Sequence, residues 1–199
     1  MNNVNIGNGN QNQNNMESRY RYLEHMTDLV VEAYGNNIAE CYENSAIATI
    51  NAMFDISKVE PKNKVKIIAK GFDLKNLLYD WIEKILLLIY IDRIVINNFE
   101  YIHVKRTIKD NQDQILRNEI ISVIPNDRNS GPDINKNSLF DLNTKKINET
   151  YEIEGIGTGE PPSISKHDYK IEIKSVTYHE MEMKFDQNRG FIFKFLLDL

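Results

Sequence analysis

The sequence is poor in cysteine, has no long uncharged apolar run and carries no excess of basic charge. Each shortage removes a class of protein. The single cysteine, Cys41, excludes an internal disulfide framework and any multi-cysteine zinc site, and it suits a reducing compartment. With 24 basic against 29 acidic side chains and a formal net charge of −5, the chain lacks the positive field through which most nucleic-acid-binding domains neutralise phosphates. Strong direct binding of nucleic acid is therefore not expected. The N-terminus is polar and has no apolar core of the kind a secretory signal needs. The most apolar stretch, Leu74 to Ile94, contains Lys75, Asp80, Glu83, Lys84, Asp92 and Arg93, whereas a bilayer-spanning helix wants ~20 nearly uncharged residues. The expectation is a protein of the cytosol or nucleus with no membrane association, and a monomer by default.

The common catalytic signatures are missing too. There is no GxxxxGK[ST], GxSxG or HExxH, and no cysteine stands beside an evident base. Gly155-x-Gly157-x-Gly159 is the one glycine-rich element. It precedes Glu160-Pro161-Pro162 rather than a helix start, so it reads as an ordinary loop and not as a phosphate cradle.

What is present suffices for one domain, since 199 residues lie within the range of a single hydrophobic core. Residues 1–18 form an Asn-rich tail, with Asn2, Asn3, Asn5, Asn8, Asn10, Asn12, Asn14 and Asn15. So little apolar surface cannot offset the entropy of ordering, and disorder is expected. A second biased stretch, about 109–150, reads as an insertion in the domain 19–199, with Ile120–Ile124 as a short apolar patch that can pair as a strand.

Between and after these segments the periodicity is clear. Leu29-Val30-Val31-Glu32-Ala33-Tyr34, closed by Gly35, predicts a strand. Asn37 with Glu40 predicts a helix cap, and Ile38, Tyr42, Ala46, Ile50 and Met53 continue it at helical spacing to about residue 54. Lys64 to Lys70 alternates as a strand does. Asp73 caps a second helix whose Leu74, Leu77, Leu78, Trp81, Ile82, Ile85 and Ile89 make a wide apolar face. Further strands are predicted over Phe99–Ile108, Ile171–Phe185 and Phe191–Leu197. The pattern gives an α+β class: a single two-layer domain of mostly antiparallel or mixed sheet packed by two main helices.

Among the polar residues, Asp28 ends a polar run just before a core strand, as a turn former, a cap or a functional carboxylate. Asp198 follows the apolar run Phe191–Leu197 and stands next to Leu199. A strand running to Leu199 sets the Asp198 side chain beside the α-carboxylate there, and two adjacent anions repel unless a cation lies between them. Hard oxygen donors of this kind suit Ca²⁺ or Mg²⁺ rather than zinc; a frayed end is the plainer alternative. His25, His103, His167 and His179 each read as packing or surface histidines when taken alone.

Several blocks then fall into one order. Tyr22-Leu23-Glu24-His25-Met26-Thr27-Asp28 resembles the opening YxxxDHTAD segment of the archease family. Met53-Phe54-Asp55 with Val59-Glu60-Pro61 is similar to its MTD…VEP stretch, and Gly71-x-Asp73-Leu74-x-x-Leu77-Leu78-x-x-Trp81 to its GxDLxxLLxxWL helix. Lys166-His167 with Glu172-Ile173-Lys174-Ser175-Val176-Thr177-Tyr178-His179 resembles the KH…EVKAVTYH block, and Leu197-Asp198-Leu199 the closing (I/V)D(I/V). The resemblance spans about 20–108 and 151–199; the tail and the 109–150 stretch show no counterpart. The opening block departs from the family's in having Glu24 for Asp and Met26-Thr27 for Thr-Ala, changes that spare Asp28.

The resemblance implies an accessory protein rather than an enzyme. Archeases assist the RtcB-type RNA ligase of tRNA splicing, promoting guanylylation of a ligase histidine by GTP and multiple turnover. It also implies a divalent-metal site made of Asp28, Asp198 and the carboxylate of Leu199, with the identity of the metal, Ca²⁺ or Mg²⁺, open. Lys174 is a candidate functional lysine or a strand lysine balancing Glu172. His25 and His179 line the site or orient it, and Lys166 and His167 are further candidates. Two other readings compete: a chaperone-like interaction module using an exposed apolar face of the 74–90 helix, and a free-standing metal-dependent hydrolase.

Overall fold

A computed structural model of the chain describes residues 19–23, 28–109, 116–124 and 148–199. The Asn-rich tail and His25 lie outside the described residues. The elements are β1 (Tyr20–Leu23), β2 (Asp28–Gly35), α1 (Ile38–Met53), a 3₁₀ turn (Ile56–Lys58), β3 (Asn63–Gly71), α2 (Leu74–Tyr90), β4 (Val95–Lys109), β5 (Leu116–Ile124), β6 (Glu149–Glu160), β7 (Ser175–Asp186) and β8 (Gly190–Asp198). The strands make two four-stranded sheets, β1-β2-β8-β7 and β3-β6-β4-β5, and every pairing between described strands is antiparallel. The α+β class holds, with the sheet divided in two.

Both helices start where their caps predict. Asn37 Oδ1 accepts from Glu40 N at 2.9 Å, and Asp73 Oδ1 accepts from Asn76 N at 2.7 Å, each satisfying a donor that the first turn leaves unpaired. Helix α1 packs on β2 and β8 of one sheet and on β4 and β5 of the other, while α2 packs on β3, β6 and β7. The helices are thus shared between the sheets. They are locked to each other by two buried bonds: Trp81 Nε1 donates to Tyr42 O (3.0 Å) and Tyr42 Oη donates to Leu74 O (2.8 Å). Leu74, Leu77, Leu78, Trp81, Ile82, Ile85 and Ile89 are all buried, so the wide apolar face of α2 belongs to the core. That removes the basis of the chaperone-like reading, which needs the face exposed.

Three expectations are corrected. First, the strand allowed for at Ile120–Ile124 forms and is longer, as β5 over Leu116–Ile124, while β4 continues to Lys109 and β6 begins at Glu149. Strand β5 pairs with β4 and reaches α1, because buried Ser122 accepts from Ala39 N (2.9 Å) and donates to Asn37 Oδ1 (3.0 Å). The 110–115 and 125–147 parts lie outside the described residues. Second, Gly155, Gly157 and Gly159 are in β6, between β3 and β4, and not in a loop. Their missing side chains make room for neighbours. A Cβ would meet the Trp81 ring at 2.8 Å from Gly155, Ile96 Cδ1 at 2.6 Å from Gly157 and Val95 O at 1.9 Å from Gly159, the close approach that favours glycine within a strand. Third, residues 171–174 are not strand, and β7 starts at Ser175.

Residues 161–174, between β6 and β7, are held down by a polar clamp at Glu160. Its Oε1 accepts from Glu60 N (2.8 Å) and Lys166 Nζ (2.5 Å), and its Oε2 accepts from Lys62 Nζ (2.8 Å). His167 is fully buried, not on a polar surface. Its Nδ1 accepts from Ser163 N (3.1 Å), which leaves Nε2 to donate to Glu160 Oε1 (3.1 Å). The ring sits edge-on to Phe54, and His167 O accepts from Asp55 N (2.7 Å). Bonds from Lys166 above all, then from Lys62, hold the Glu160 carboxyl well below the usual carboxylate range.

Two outcomes test this account. Gly159→Ala should destabilise by about 1–3 kcal/mol, the cost of overpacking, whereas a loop glycine would tolerate the change; urea unfolding reads the difference. A carboxyl with a lowered folded-state pKa contributes stability that is present above its unfolded value, about 4.3, and is lost as pH falls below it. Unfolding midpoints at pH 6 and pH 3 should therefore drop further for the wild type than for Glu160→Gln.

Candidate metal-binding corner

The ends of three strands meet at one corner of the first sheet. Strand β2 begins at Asp28, β8 ends at Asp198 and β7 begins at Ser175. Because β2 and β8 run antiparallel with Leu29 opposite Leu197 and Val31 opposite Phe195, the register sets Asp28 directly opposite Asp198. On the other side of β8, Ser175 is opposite Asp198. Residues directly opposite share a face, with Cα atoms about 4.5–5.5 Å apart. Asp28, Asp198 and Ser175 therefore form one row across the sheet. Beneath it Leu197, Phe195 and Val31 are fully buried, and this apolar underside is what holds the register.

Lys174 closes the corner. Its backbone N–H donates to Asp198 O (2.9 Å), and its Nζ donates to the main-chain oxygen of Leu199 (2.6 Å). The residue before it, Ile173, is fully buried, and its carbonyl accepts from Tyr90 Oη at the end of α2 (2.8 Å). The lysine is thus engaged with the C-terminal segment of β8, and this contact, rather than balance with Glu172, is what the structure gives it. Asp198 and Leu199 are exposed and Asp28 is half-buried, so the row faces solvent while its backbone is anchored.

The donor set is all oxygen: two side-chain carboxylates and the Leu199 main-chain oxygen. It suits a hard divalent cation such as Ca²⁺ or Mg²⁺ rather than zinc. Among the described residues, no group of three or more His, Cys, Asp or Glu side chains is arranged to hold a metal, so a cation here takes at least one ligand from outside those types.

The other predicted residues lie elsewhere. His179 is exposed in the β7 bulge, where the register with β8 shifts between Thr177 and Glu182. Its backbone N–H donates to Thr177 Oγ1 (3.1 Å) and its Nε2 lies 3.8 Å from Glu180 Oε1. Beside it Tyr178 stacks on Tyr79, with ring centroids 4.5 Å apart. Lys166 and His167 belong to the Glu160 clamp. His103 is half-buried in β4, with its ring against Tyr101. Cys41 is fully buried, and burial, with a smaller contribution from Glu40, pushes its thiol up, so it is no nucleophile. Sequence reasoning missed Ser175 and Tyr90 as parts of the corner. No local signal marks either of them, since both contacts join distant stretches of chain.

Comparison with known proteins gives the chain its family. A model of the archease protein family (MTH1598/TM1083) matches residues 20–126 and 133–199, so most of the 109–150 stretch has a counterpart in the family. Protein archease of Sulfurisphaera tokodaii is 32% identical over 183 residues, covering 91% of this chain and 99% of its own length. Protein archease of Sulfolobus acidocaldarius is 28% identical over 92% of this chain and 99% of its own. The solution structure of Methanobacterium thermoautotrophicum protein 1598 superposes with a TM-score of 0.58 at 22% identity, over 92% of this chain and 99% of that one, and so shares the fold. No helix among the described residues is long and apolar enough to cross a membrane. Matched in sequence along almost its whole folded length, the chain belongs to the archease family.

Proposed function

We propose that this protein is a metal-binding accessory factor of an RtcB-type RNA ligase, acting in tRNA splicing by promoting guanylylation of the ligase and its multiple turnover. It is not an enzyme by itself. The observation that carries the reading is the register of β2 on β8, which puts Asp28 opposite Asp198 beside Leu199 and Lys174.

In this reading Asp28, Asp198 and the carboxylate of Leu199 hold a divalent cation, Ca²⁺ or Mg²⁺. When bound, such an ion supplies positive charge against phosphate oxygens and a pyrophosphate leaving group, the charge that nucleotidyl transfer develops. The chain's own residues position it. The β2–β8 pairing holds the two aspartates on one face, and the backbone bond from Lys174 N–H fixes the end of β8. The exposed corner is then the part of the molecule presented to the ligase, and the Lys174 ammonium adds a second positive group there. A free-standing metal-dependent hydrolase is the competing reading, and turnover of phosphoesters without any ligase would favour it.

The test is a time course with the cognate ligase, GTP and excess broken tRNA. The wild type should speed formation of the ligase–GMP adduct and turn a single turnover into many. Asp28→Ala and Asp198→Ala should each abolish that stimulation while circular dichroism stays unchanged. Normal stimulation by both variants would sink the reading. In parallel, residues fused after Leu199 should weaken divalent-ion binding measured by calorimetry, whereas a tag at the N-terminus should leave it unaltered.

A further inference from the structure

We infer that Lys174 is the corner's resident counter-ion, and that a divalent cation binds there by displacing its ammonium from the Leu199 oxygen. This rests on the cation reading of the corner proposed above.

Two carboxylates set directly opposite each other across a strand pair repel, and the corner contains a positive group of its own to offset them. Lys174 Nζ lies 2.6 Å from the Leu199 main-chain oxygen, which is one of the three donors the cation would use. An oxygen engaged by an ammonium at that distance presents its electron density to the lysine. A second positive charge arriving at the same oxygen also meets the lysine's repulsion.

The side chain is able to leave, because the residue is anchored by its backbone and not by its ammonium. Lys174 N–H donates to Asp198 O, and the preceding carbonyl is held by Tyr90 Oη. Beyond the backbone the ammonium sits on a flexible four-carbon stem, and Lys174 is exposed. Exchange of one cation for another can thus occur without moving β7 or β8. Lys174 in this role offsets part of the negative charge of the empty corner and keeps its grip on a divalent ion weak enough to be reversible.

Calorimetric titration of Ca²⁺ and of Mg²⁺ into the full chain, at fixed pH and low ionic strength, decides the matter. Lys174→Met removes the competitor and retains an apolar stem, and should bind at least tenfold tighter than the wild type. Lys174→Arg retains the charge and should bind within about threefold of the wild type. Circular dichroism and thermal melts verify that both variants fold. Binding by Lys174→Met equal to or weaker than that of the wild type overturns the inference and leaves the cation site standing. Tighter binding by Lys174→Arg as well would overturn it too, since charge would then not be the cause. If none of the three proteins binds either ion at millimolar concentration, the cation reading of the corner falls, and this inference falls with it.

Discussion

The pairing of β2 with β8 is the constraint on which the rest of this structure depends. It joins the first long strand of the domain to the last, and its register aligns the start of one with the end of the other. A slip of one residue would turn Asp28 to the opposite face from Asp198 and bring Leu29 out of the core. Burial prevents that slip. Val31, Ala33, Phe193, Phe195 and Leu197 are fully buried on the underside of the pair, so the hydrophobic alternation that builds the sheet also fixes where the two carboxylates stand.

The corner is finished by a segment with no regular structure. Residues 161–174 are secured at one end by the Glu160 clamp and at the other by Tyr90 and the backbone bond from Lys174 to Asp198. Between these points Lys170 N–H donates to Met53 O (2.8 Å), which ties the segment to the end of α1. Lys166 and His167 serve this seating rather than the corner itself. Their kinship with Lys174 in the sequence reflects a shared segment, with one end structural and the other facing the carboxylates.

The chemistry of the corner is that of an electrostatic support. It has hard oxygen donors and an ammonium, and it has neither a lowered thiol nor a base beside a hydroxyl in a buried pocket. An arrangement of this kind offers positive charge when loaded with a cation, which is what a phosphoryl or nucleotidyl transfer consumes at its transition state. In the accessory role proposed above, the exposed position of the corner leaves it open to a partner's site.

Periodicity and capping chemistry, which are local, were legible in the chain. Asn37 and Asp73 marked the two helix starts; the apolar spacing of α1 and α2 and the alternation of β2, β3 and β8 placed most of the core. The α+β class followed from these alone. What failed did so for non-local reasons. Three glycines in β6 resemble a loop until Trp81, Ile96 and Val95 are seen to occupy the space their side chains would need. The apolar patch Ile120–Ile124 was legible as a strand, but the polar start of β5 from Leu116 and its contact with α1 through Ser122 were not. Asp28, Asp198 and Lys174 were named from motif order, yet no sequence spacing states that Asp28 faces Asp198 or that the lysine engages Leu199. The sequence by itself determined which residue types were available, because helix caps and apolar spacing are read from near neighbours. Only the tertiary structure decided which of them share a face, because strand register is set by burial across the whole sheet.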